Sequence, residues 1–183
     1  LERRGRLPVT EAAALLVPVL EALAHAHAHG VVHRDVKPQN VLVTKDGVFV
    51  LDFGIAKQDA DPTAMASRIT RTGEVLGTPR YMAPEQIFGE RDVDARADVW
   101  AAGVIVYRAL SGEAPIAART LGETIKAHAR GSIVPLRDRV AGGEIPDALA
   151  AAVMSCLERD RARRPSTTAL LRDALVAACP VDP

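Results

Sequence analysis

The pattern that most restricts the fold of this chain is a pair of short apolar runs on either side of Asp46 and Gly47. Residues 41–43 read Val-Leu-Val, and residues 48–51 read Val-Phe-Val-Leu. Apolar runs of this length around an Asp-Gly pair are typical of a β-hairpin with a tight turn. The sequence therefore predicts a small antiparallel ribbon at this point.

The hairpin also predicts which polar residues meet at its open end. A two-residue turn at the Asp-Gly pair puts Lys45 opposite Val48 and Asp52 opposite Val41. The stretch of residues 33–40, called the polar loop below, ends next to Val41. Turn geometry alone therefore predicts that the polar loop and Asp52 come together.

A long helix is expected from Glu11 to about His29, with Thr10 as its N-cap and Gly30 in the stop position. Pro18 interrupts the helical pattern, because proline lacks a backbone N–H and crowds the preceding turn. We therefore expect a kink near Leu15 or a helix that starts late.

Most of the remaining chain also has helical patterns, separated by glycine and proline. The segment from residue 54 to 78 is polar and lacks periodicity, which is typical of a long surface segment that carries function. The expected fold is mainly α, a helical bundle with one small β-hairpin. The further helices are expected at residues 97–110, 121–129, 148–157 and 168–178.

Composition and charge exclude several classes of protein. The chain has 183 residues and a mass of 19.5 kDa, which fits one globular domain. Its 23 basic side chains balance 23 acidic ones, so it lacks the positive field that attracts nucleic acid. Nucleic acid is therefore not an expected partner.

The apolar runs and the cysteines indicate the cellular compartment in which the chain is expected. The longest apolar stretches, residues 99–107 and 148–156, are well under the roughly 18 residues that span a bilayer, so no membrane contact is expected from this segment. Cys156 and Cys179 fit neither a disulfide framework nor a zinc site, which favours a reducing cytoplasm. Because the chain begins at Leu1 without a signal-peptide pattern, we expect it to be part of a longer protein.

Three short sequence motifs follow one another along the chain. Residues 33–40 read HRDVKPQN, residues 52–54 read DFG and residues 83–85 read APE. The chain resembles the protein kinase family, which carries these motifs in this order. The resemblance extends over nearly the whole chain, through residues 77–82 (GTPRYM), Asp98-Val99-Trp100 with Gly103, and Arg164 before Pro165.

The resemblance implies a set of chemical roles. Transfer of a phosphoryl group from ATP to a hydroxyl requires an aligned acceptor, a group that accepts its proton, and metal ions that neutralise phosphate charge. Asp35 resembles the carboxylate that orients the hydroxyl and accepts the proton, and Lys37 the ammonium beside the transferred phosphate. Asn40 and Asp52 resemble the oxygen ligands of Mg²⁺. ATP and Mg²⁺ are the implied cofactors.

The resemblance also implies the acceptor and its control. A lysine at position 37 is typical of serine/threonine kinases, so protein substrates with serine or threonine acceptors are implied. Thr78 resembles a threonine that bonds to the catalytic Asp and Lys. Thr70 and Thr72 lie where bacterial relatives autophosphorylate, and Arg34 is the implied partner of that phosphate.

Three more residues are implied to support the site. Glu85 and Arg164 resemble a buried ion pair that anchors the end of the activation segment, which would run from residue 52 to 85. Truncating either partner should cost about 3 to 5 kcal/mol, because the surviving charge would be buried and unpaired. Asp98 is similar to the residue that holds the backbone of the catalytic loop from the following helix.

Each of these residues also has a plainer interpretation. An isolated Asp or Asn in a loop is usually a turn former. Thr70 and Thr72 could be ordinary loop residues, and Glu85 with Arg164 could be a surface pair that contributes little to stability.

The histidines are expected to play supporting or passive roles. His33 is expected to be a packed, hydrogen-bonded support and not a proton carrier. His25, His27 and His29 alternate along the long helix with no carboxylate close in sequence, and they are expected to lie at the surface.

The sequence departs from the family at its N-terminal side. A kinase carries a small β-rich lobe with a glycine-rich loop over the phosphates and a lysine on a strand. No two glycines of this chain stand two positions apart, and its first lysine is Lys37. We therefore expect residues 1–183 to be a partial kinase domain, the C-terminal lobe without the small lobe, and to have poor activity alone.

The expected function is that of a bacterial-type serine/threonine protein kinase, active when the small lobe is supplied. One alternative is a truncated, catalytically silent interaction module that keeps the helical lobe as a docking surface. A second is a small-molecule phosphotransferase, which the complete segment from Thr78 to Glu85 disfavours. The resemblance also implies that the full-length protein can be tethered to a membrane outside this domain.

Overall fold

The computed structural model describes residues 5–53, 79–118, 120–131, 133–140 and 144–179. A two-stranded antiparallel sheet lies among helices. The strands are β1 (Val41–Thr44) and β2 (Gly47–Val50); the helices are α1 (Val9–Ala28), α2 (Pro84–Ile87), α3 (Arg96–Ser111), α4 (Leu121–Arg130), α5 (Leu136–Arg139), α6 (Asp147–Cys156) and α7 (Ala169–Ala177). Single 3-10 turns occur at Pro38–Asn40, Pro79–Tyr81 and Arg161–Arg163.

Helix α3 forms the centre of the core. Nearly all of its side chains are buried, from Ala97 to Leu110, which is the pattern of a helix surrounded on every side. It packs against α1 and α6, and α7 covers both of those helices. At Gly103 a side chain would not fit, since an added Cβ would lie 2.7 Å from Cβ of Cys156. The glycine therefore lets α3 and α6 approach closely.

The four further helices are confirmed to within one residue at each end. Observed bounds are Arg96–Ser111, Leu121–Arg130, Asp147–Cys156 and Ala169–Ala177. Clear stop signals explain the agreement: Gly112 and Gly131 follow two of these helices in left-handed conformations, with φ of 78° and 69°.

The predicted start of α1 is wrong. The helix begins at Val9, and the N–H of Ala12 donates to the carbonyl of Pro8, so Thr10 lies inside the first turn and does not cap it. Pro18 lies inside one helix that runs on to Ala28, and the start is early, not late. The carbonyl that loses its helical donor because of Pro18 belongs to Ala14, which is an exposed residue.

The predicted stop of α1 is confirmed. Gly30 has φ of 74°, and its N–H donates to the carbonyl of His27. The N–H of Val31 donates to the carbonyl of Ala26, which completes a Schellman motif.

Helix α1 is also long and apolar enough, by length and composition alone, to cross a membrane. A search for uninterrupted apolar runs overlooks it, because Glu11, Pro18 and Glu21 divide the run. In this fold one stripe of the helix is buried against α3 and α7, and 33% of the apolar window is buried.

The predicted hairpin exists, but its register is wrong. Val41 pairs with Val50 and Thr44 with Gly47, so Lys45 and Asp46 form the turn and Gly47 belongs to β2. The hydroxyl of Thr44 accepts a hydrogen bond from the N–H of Asp46, which stabilises a turn one position earlier than the Asp-Gly pair suggests. Because each partner shifts by two positions, every side chain stays on its predicted face.

Candidate functional site

A buried carboxylate at the start of α3 holds the polar loop. Asp98 is 1% exposed. One of its oxygens accepts from the backbone N–H of Arg34 at 2.8 Å, and the other accepts from the N–H of His33 at 2.8 Å. Arg34 has a left-handed backbone, with φ of 64°, which is costly for a residue with a Cβ. Asp98 therefore fixes a strained loop conformation that the local sequence alone would not adopt.

His33 connects the polar loop to the end of β2. Its ring is buried, its Nδ1 accepts from the N–H of Asp35 at 3.2 Å, and its Nε2 lies 2.9 Å from the carbonyl of Leu51. A backbone N–H can only donate, so Nδ1 carries no proton and Nε2–H donates to Leu51. The ring also packs 4.8 Å from the Phe53 ring between centroids, so the expectation that His33 is packed and hydrogen-bonded is confirmed.

Three polar side chains of the loop converge. Nζ of Lys37 donates to Oδ2 of Asp35 at 2.8 Å, and both side chains are partly exposed. The 3-10 turn after Lys37 brings Asn40 back toward Asp35, where its Nδ2 donates to the Asp35 carbonyl at 2.8 Å and approaches Oδ2 at 3.5 Å. The amide nitrogen of Asn40 therefore holds the loop, which leaves its oxygen as the atom suited to a cation.

Asp52 lies at the same end of the hairpin. The N–H of Leu51 donates to the carbonyl of Asn40 at 2.8 Å, which extends the β1–β2 pairing by one position. Asp52 follows with φ of 55° and an exposed side chain. The polar loop and Asp52 meet as the hairpin predicted. Arg34 and Asp52 are the two non-glycine residues with positive φ in the described part of the chain, so backbone strain is concentrated here.

Glu85 and Arg164 form a buried bidentate ion pair. The two guanidinium nitrogens lie 2.6 and 2.7 Å from the two carboxylate oxygens. The remaining N–H groups of Arg164 donate to the carbonyls of Glu158, Arg96 and Arg159, so all five of its donors are used. This burial excludes the surface-pair interpretation.

Gln86 joins that anchored segment to the polar loop, and sequence reasoning missed it. Its Nε2 donates to the carbonyl of Arg34 at 2.8 Å, and its Oε1 accepts from the N–H of Ala83. A glutamine after Ala-Pro-Glu carries no sequence signal of such a bridge, because the partner lies 52 positions away.

The side chain of His27 is enclosed in the protein and does not lie at the surface. Its side chain is only 6% exposed, and its Nε2 donates to Oδ2 of Asp98 at 2.8 Å, so the surface prediction is wrong for this residue. His25 and His29 are exposed, as expected. The prediction considered carboxylates close in sequence, whereas Asp98 is 71 positions away.

Helical spacing could have identified His27. It lies four positions after Leu23 and seven after Leu20, and both leucines are buried. A histidine that continues a buried stripe is expected to need an internal partner.

Three threonines cannot be placed. Thr70, Thr72 and Thr78 lie outside the described residues, as does Gly54 of the DFG motif. Their roles stay predictions.

Comparison with known proteins adds independent evidence. A family model described as the protein kinase domain matches residues 1–176. Serine/threonine-protein kinase pkn2 of Myxococcus xanthus is 39% identical over 178 residues, which cover 95% of this chain and 21% of that protein. PknB of Mycobacterium leprae is 35% identical over 173 residues, covering 94% of this chain and 27% of the relative. The chain thus spans about a quarter of these relatives.

A solved structure has the same fold. The crystal structure of Rad53 1-466 in complex with AMP-PNP superposes with a TM-score of 0.69 and is 27% identical, covering 94% of this chain and 41% of that one.

Proposed function

Since the chain belongs to the protein kinase family, we propose that it is the C-terminal lobe of a bacterial serine/threonine protein kinase that transfers the γ-phosphoryl group of ATP to protein hydroxyls. The observation that carries this proposal is the convergence of Asp35, Lys37 and Asn40 on a loop clamped by Asp98. The names of the bacterial relatives support serine and threonine as acceptors.

In the proposed reaction, Asp35 orients the substrate hydroxyl and accepts its proton. Its carboxylate is 27% exposed, so a substrate side chain can reach it. Lys37, bonded to the same carboxylate, places a compact cation where negative charge develops on the transferred phosphoryl group.

The residues beside Asp35 fit a hard cation bound with ATP. Two groups offer oxygen atoms that could bind a cation. They are the amide of Asn40, whose nitrogen donates a hydrogen bond within the loop, and the exposed carboxylate of Asp52. Oxygen ligands of this kind suit Mg²⁺. When bound, Mg²⁺ supplies positive charge that neutralises the phosphate oxygens. Asn40 and Asp52 would hold it, and Lys37 would contact the nucleotide phosphates.

An exposed apolar patch on the hairpin supports the proposal that a small lobe packs against this chain. Leu42 and Phe49 are opposed in the β1–β2 pairing, Leu51 follows on the same face, and all three are exposed. A patch of this kind marks an interaction surface. We propose that the small lobe packs here and completes the nucleotide cleft next to Asn40 and Asp52.

The proposed control of the site involves residues beyond the described ones. Phosphorylation of Thr70 or Thr72 would create a partner for Arg34, and Thr78 would bond to Asp35 and Lys37. The Glu85–Arg164 pair and Gln86 anchor the end of this segment.

The test is protein phosphorylation by a longer protein in which the proposed small lobe precedes this chain, with casein as substrate, followed by phosphoamino-acid analysis. Asp35→Asn keeps the size of the side chain but removes the base, so kcat should fall by about 10³ or more while ATP affinity is unchanged. Asp46→Asn makes the same change at the exposed hairpin turn and should leave kcat unchanged. Retained activity in Asp35→Asn would contradict the proposal, and ATP binding without any transfer in the wild type would favour the interaction module.

A further inference from the structure

Side chains bind both polar groups of the peptide bond between Arg34 and Asp35. Its N–H belongs to Asp35 and donates to Nδ1 of His33 at 3.2 Å. Its carbonyl belongs to Arg34 and accepts from Nε2 of Gln86 at 2.8 Å. The first contact lies within the polar loop, whereas Gln86 belongs to α2. The orientation of this peptide bond, which carries the proposed base, therefore depends on a second segment of the chain.

The contact with Gln86 matters because the backbone of Arg34 is strained. Its φ of 64° lies in the left-handed region, which is unfavourable for a residue with a Cβ. Such a conformation persists only where the surrounding structure holds it. Asp98 accepts from the N–H of Arg34 at 2.8 Å, and among the described residues Gln86 is the one whose side chain donates to its carbonyl. Without that donor, the strained backbone loses one of its two side-chain partners and can relax.

The two partners of Gln86 fix the orientation of its amide. Oε1 accepts from the N–H of Ala83 at 3.0 Å, and Nε2 lies 2.8 Å from the carbonyl of Arg34. A backbone N–H can only donate and a carbonyl can only accept, so a flipped amide would present the wrong group to both partners. This position therefore requires one acceptor and one donor on the same side chain. A glutamate carboxylate offers only acceptors, and an apolar side chain offers neither.

The backbone that carries Gln86 is itself anchored. Glu85, the preceding residue, is 2% exposed and forms the buried ion pair with Arg164. The N–H of Gln86 donates to the carbonyl of Ala83 at 3.0 Å, which fixes the first turn of α2. A side chain can position another group only when its own backbone is held in place. Gln86 thus connects an anchored segment to the Arg34–Asp35 peptide bond.

We propose that Gln86 is a positioning residue for phosphotransfer, which holds the Arg34–Asp35 peptide bond so that the Asp35 carboxylate faces the substrate hydroxyl. This inference rests on the proposed function of Asp35. Gln86 itself contacts neither ATP nor the acceptor in the proposed reaction. A displacement of a catalytic group by about 1 Å can cost on the order of 100-fold in rate. Loss of the Gln86 donor should therefore lower kcat and leave the affinity for ATP unchanged.

Two variants separate positioning from a merely structural role. Gln86→Glu keeps an acceptor for the Ala83 N–H but turns a carboxylate oxygen toward the Arg34 carbonyl, and Gln86→Leu removes both bonds without adding charge. The assay is transfer from ATP to casein by a longer protein in which the proposed small lobe precedes this chain. Both variants should lower kcat by about 10- to 100-fold, with KM for ATP within about twofold of the wild type. Arg91→Gln, which changes the net charge equally at an exposed position, should keep the wild-type kcat.

Amide hydrogen exchange at Arg34 and Asp35 tests the loop directly and requires no activity. Both N–H groups should exchange about tenfold faster or more in Gln86→Glu than in the wild type, and Arg91→Gln should match the wild type. Wild-type kcat in Gln86→Glu, with or without an impaired Gln86→Leu, would show that Gln86 only caps α2 and would overturn the proposal. If the wild type transfers no phosphate, the proposed function fails. Unchanged exchange in Gln86→Glu would separately show that Gln86 does not hold the loop.

Discussion

Asp98 is the residue on which the geometry of the polar loop depends most. Its carboxylate accepts three hydrogen bonds of 2.8 Å, two from backbone N–H groups and one from His27. It fixes the backbone next to Asp35, the proposed base, without contacting the substrate itself in the proposed reaction. Because His27 holds the Asp98 carboxylate in place, it also helps to position Asp35.

His27→Ala should loosen this arrangement. The change leaves a buried carboxylate oxygen with one donor fewer, and the free energy of unfolding should fall by about 1 to 3 kcal/mol. Amide hydrogen exchange at His33 and Arg34 should become faster. His25→Ala, two positions earlier and exposed, is the matched control and should change stability by less than about 0.5 kcal/mol. Equal effects of the two changes would show that the His27–Asp98 bond does not hold the loop.

The buried ion pair makes a second prediction at the residue scale. Glu85→Gln leaves the Arg164 guanidinium buried without a countercharge, and it should destabilise the fold by about 3 to 5 kcal/mol in urea denaturation. Glu90→Gln changes an exposed pair whose nitrogen and oxygen lie 3.9 Å apart, and should cost less than about 1 kcal/mol. A small effect of Glu85→Gln would mean that the three backbone carbonyls alone satisfy Arg164.

At the scale of elements, the close contact between α3 and α6 depends on Gly103. Gly103→Ala places a methyl group 2.7 Å from Cβ of Cys156, so the helices must separate, at a cost of about 1 to 3 kcal/mol. Gly122→Ala, in α4 with nothing within 4 Å of the added Cβ, should instead stabilise the protein by up to about 1 kcal/mol. Thermal unfolding of both variants tests this, and a tolerated Gly103→Ala would show that the contact can relax without cost.

Some helices and strands could be predicted from the sequence, and others could not. Helices α3, α4, α6 and α7 are predictable because apolar periodicity and stop signals act locally. The hairpin register is not, because the Thr44 hydroxyl competes with the Asp-Gly preference and selects the turn one position earlier. The start of α1 depends on Pro8 and not on the better capping residue Thr10.

In the candidate site, too, residues that belong to local motifs are predictable from the sequence, and residues with distant partners are not. Asp35, Lys37, Asn40 and Asp52 are found from motifs, and the hairpin brings the loop and Asp52 together even with the register wrong. His27 and Gln86 are missed because their partners, Asp98 and Arg34, are distant in sequence. A hydrogen bond between residues that are distant in the sequence produces no recognisable pattern in the residues around either partner.

At the scale of the whole molecule, stability should depend on pH through His128. Burial lowers its folded-state pKa to about 4, below that of the unfolded chain, so the unfolded state takes up the proton first as the pH falls. The protein is therefore most stable, as far as His128 is concerned, above about pH 6.5. As the pH falls toward 4, the free energy of unfolding should decrease by about 2 kcal/mol after allowance for solvent screening.

Urea denaturation at pH 7.5 and 4.5 measures this contribution. The loss between the two pH values should be smaller in His128→Asn than in the wild type, while His25→Asn, at an exposed position, should lose as much as the wild type. Identical losses in all three proteins would contradict the assigned pH dependence.

The central claim is that this chain carries the catalytic groups of a protein kinase and needs a second lobe to complete the nucleotide cleft. The most direct measurement is the steady-state rate of phosphotransfer from ATP to casein by the 183 residues alone and by a longer protein in which the proposed small lobe precedes them. We predict turnover below about 1 per second for the chain alone and within the usual range of about 1 to 100 per second for the longer protein. A rate of 1 per second or faster from the chain alone, or no transfer by the longer protein, would contradict the account.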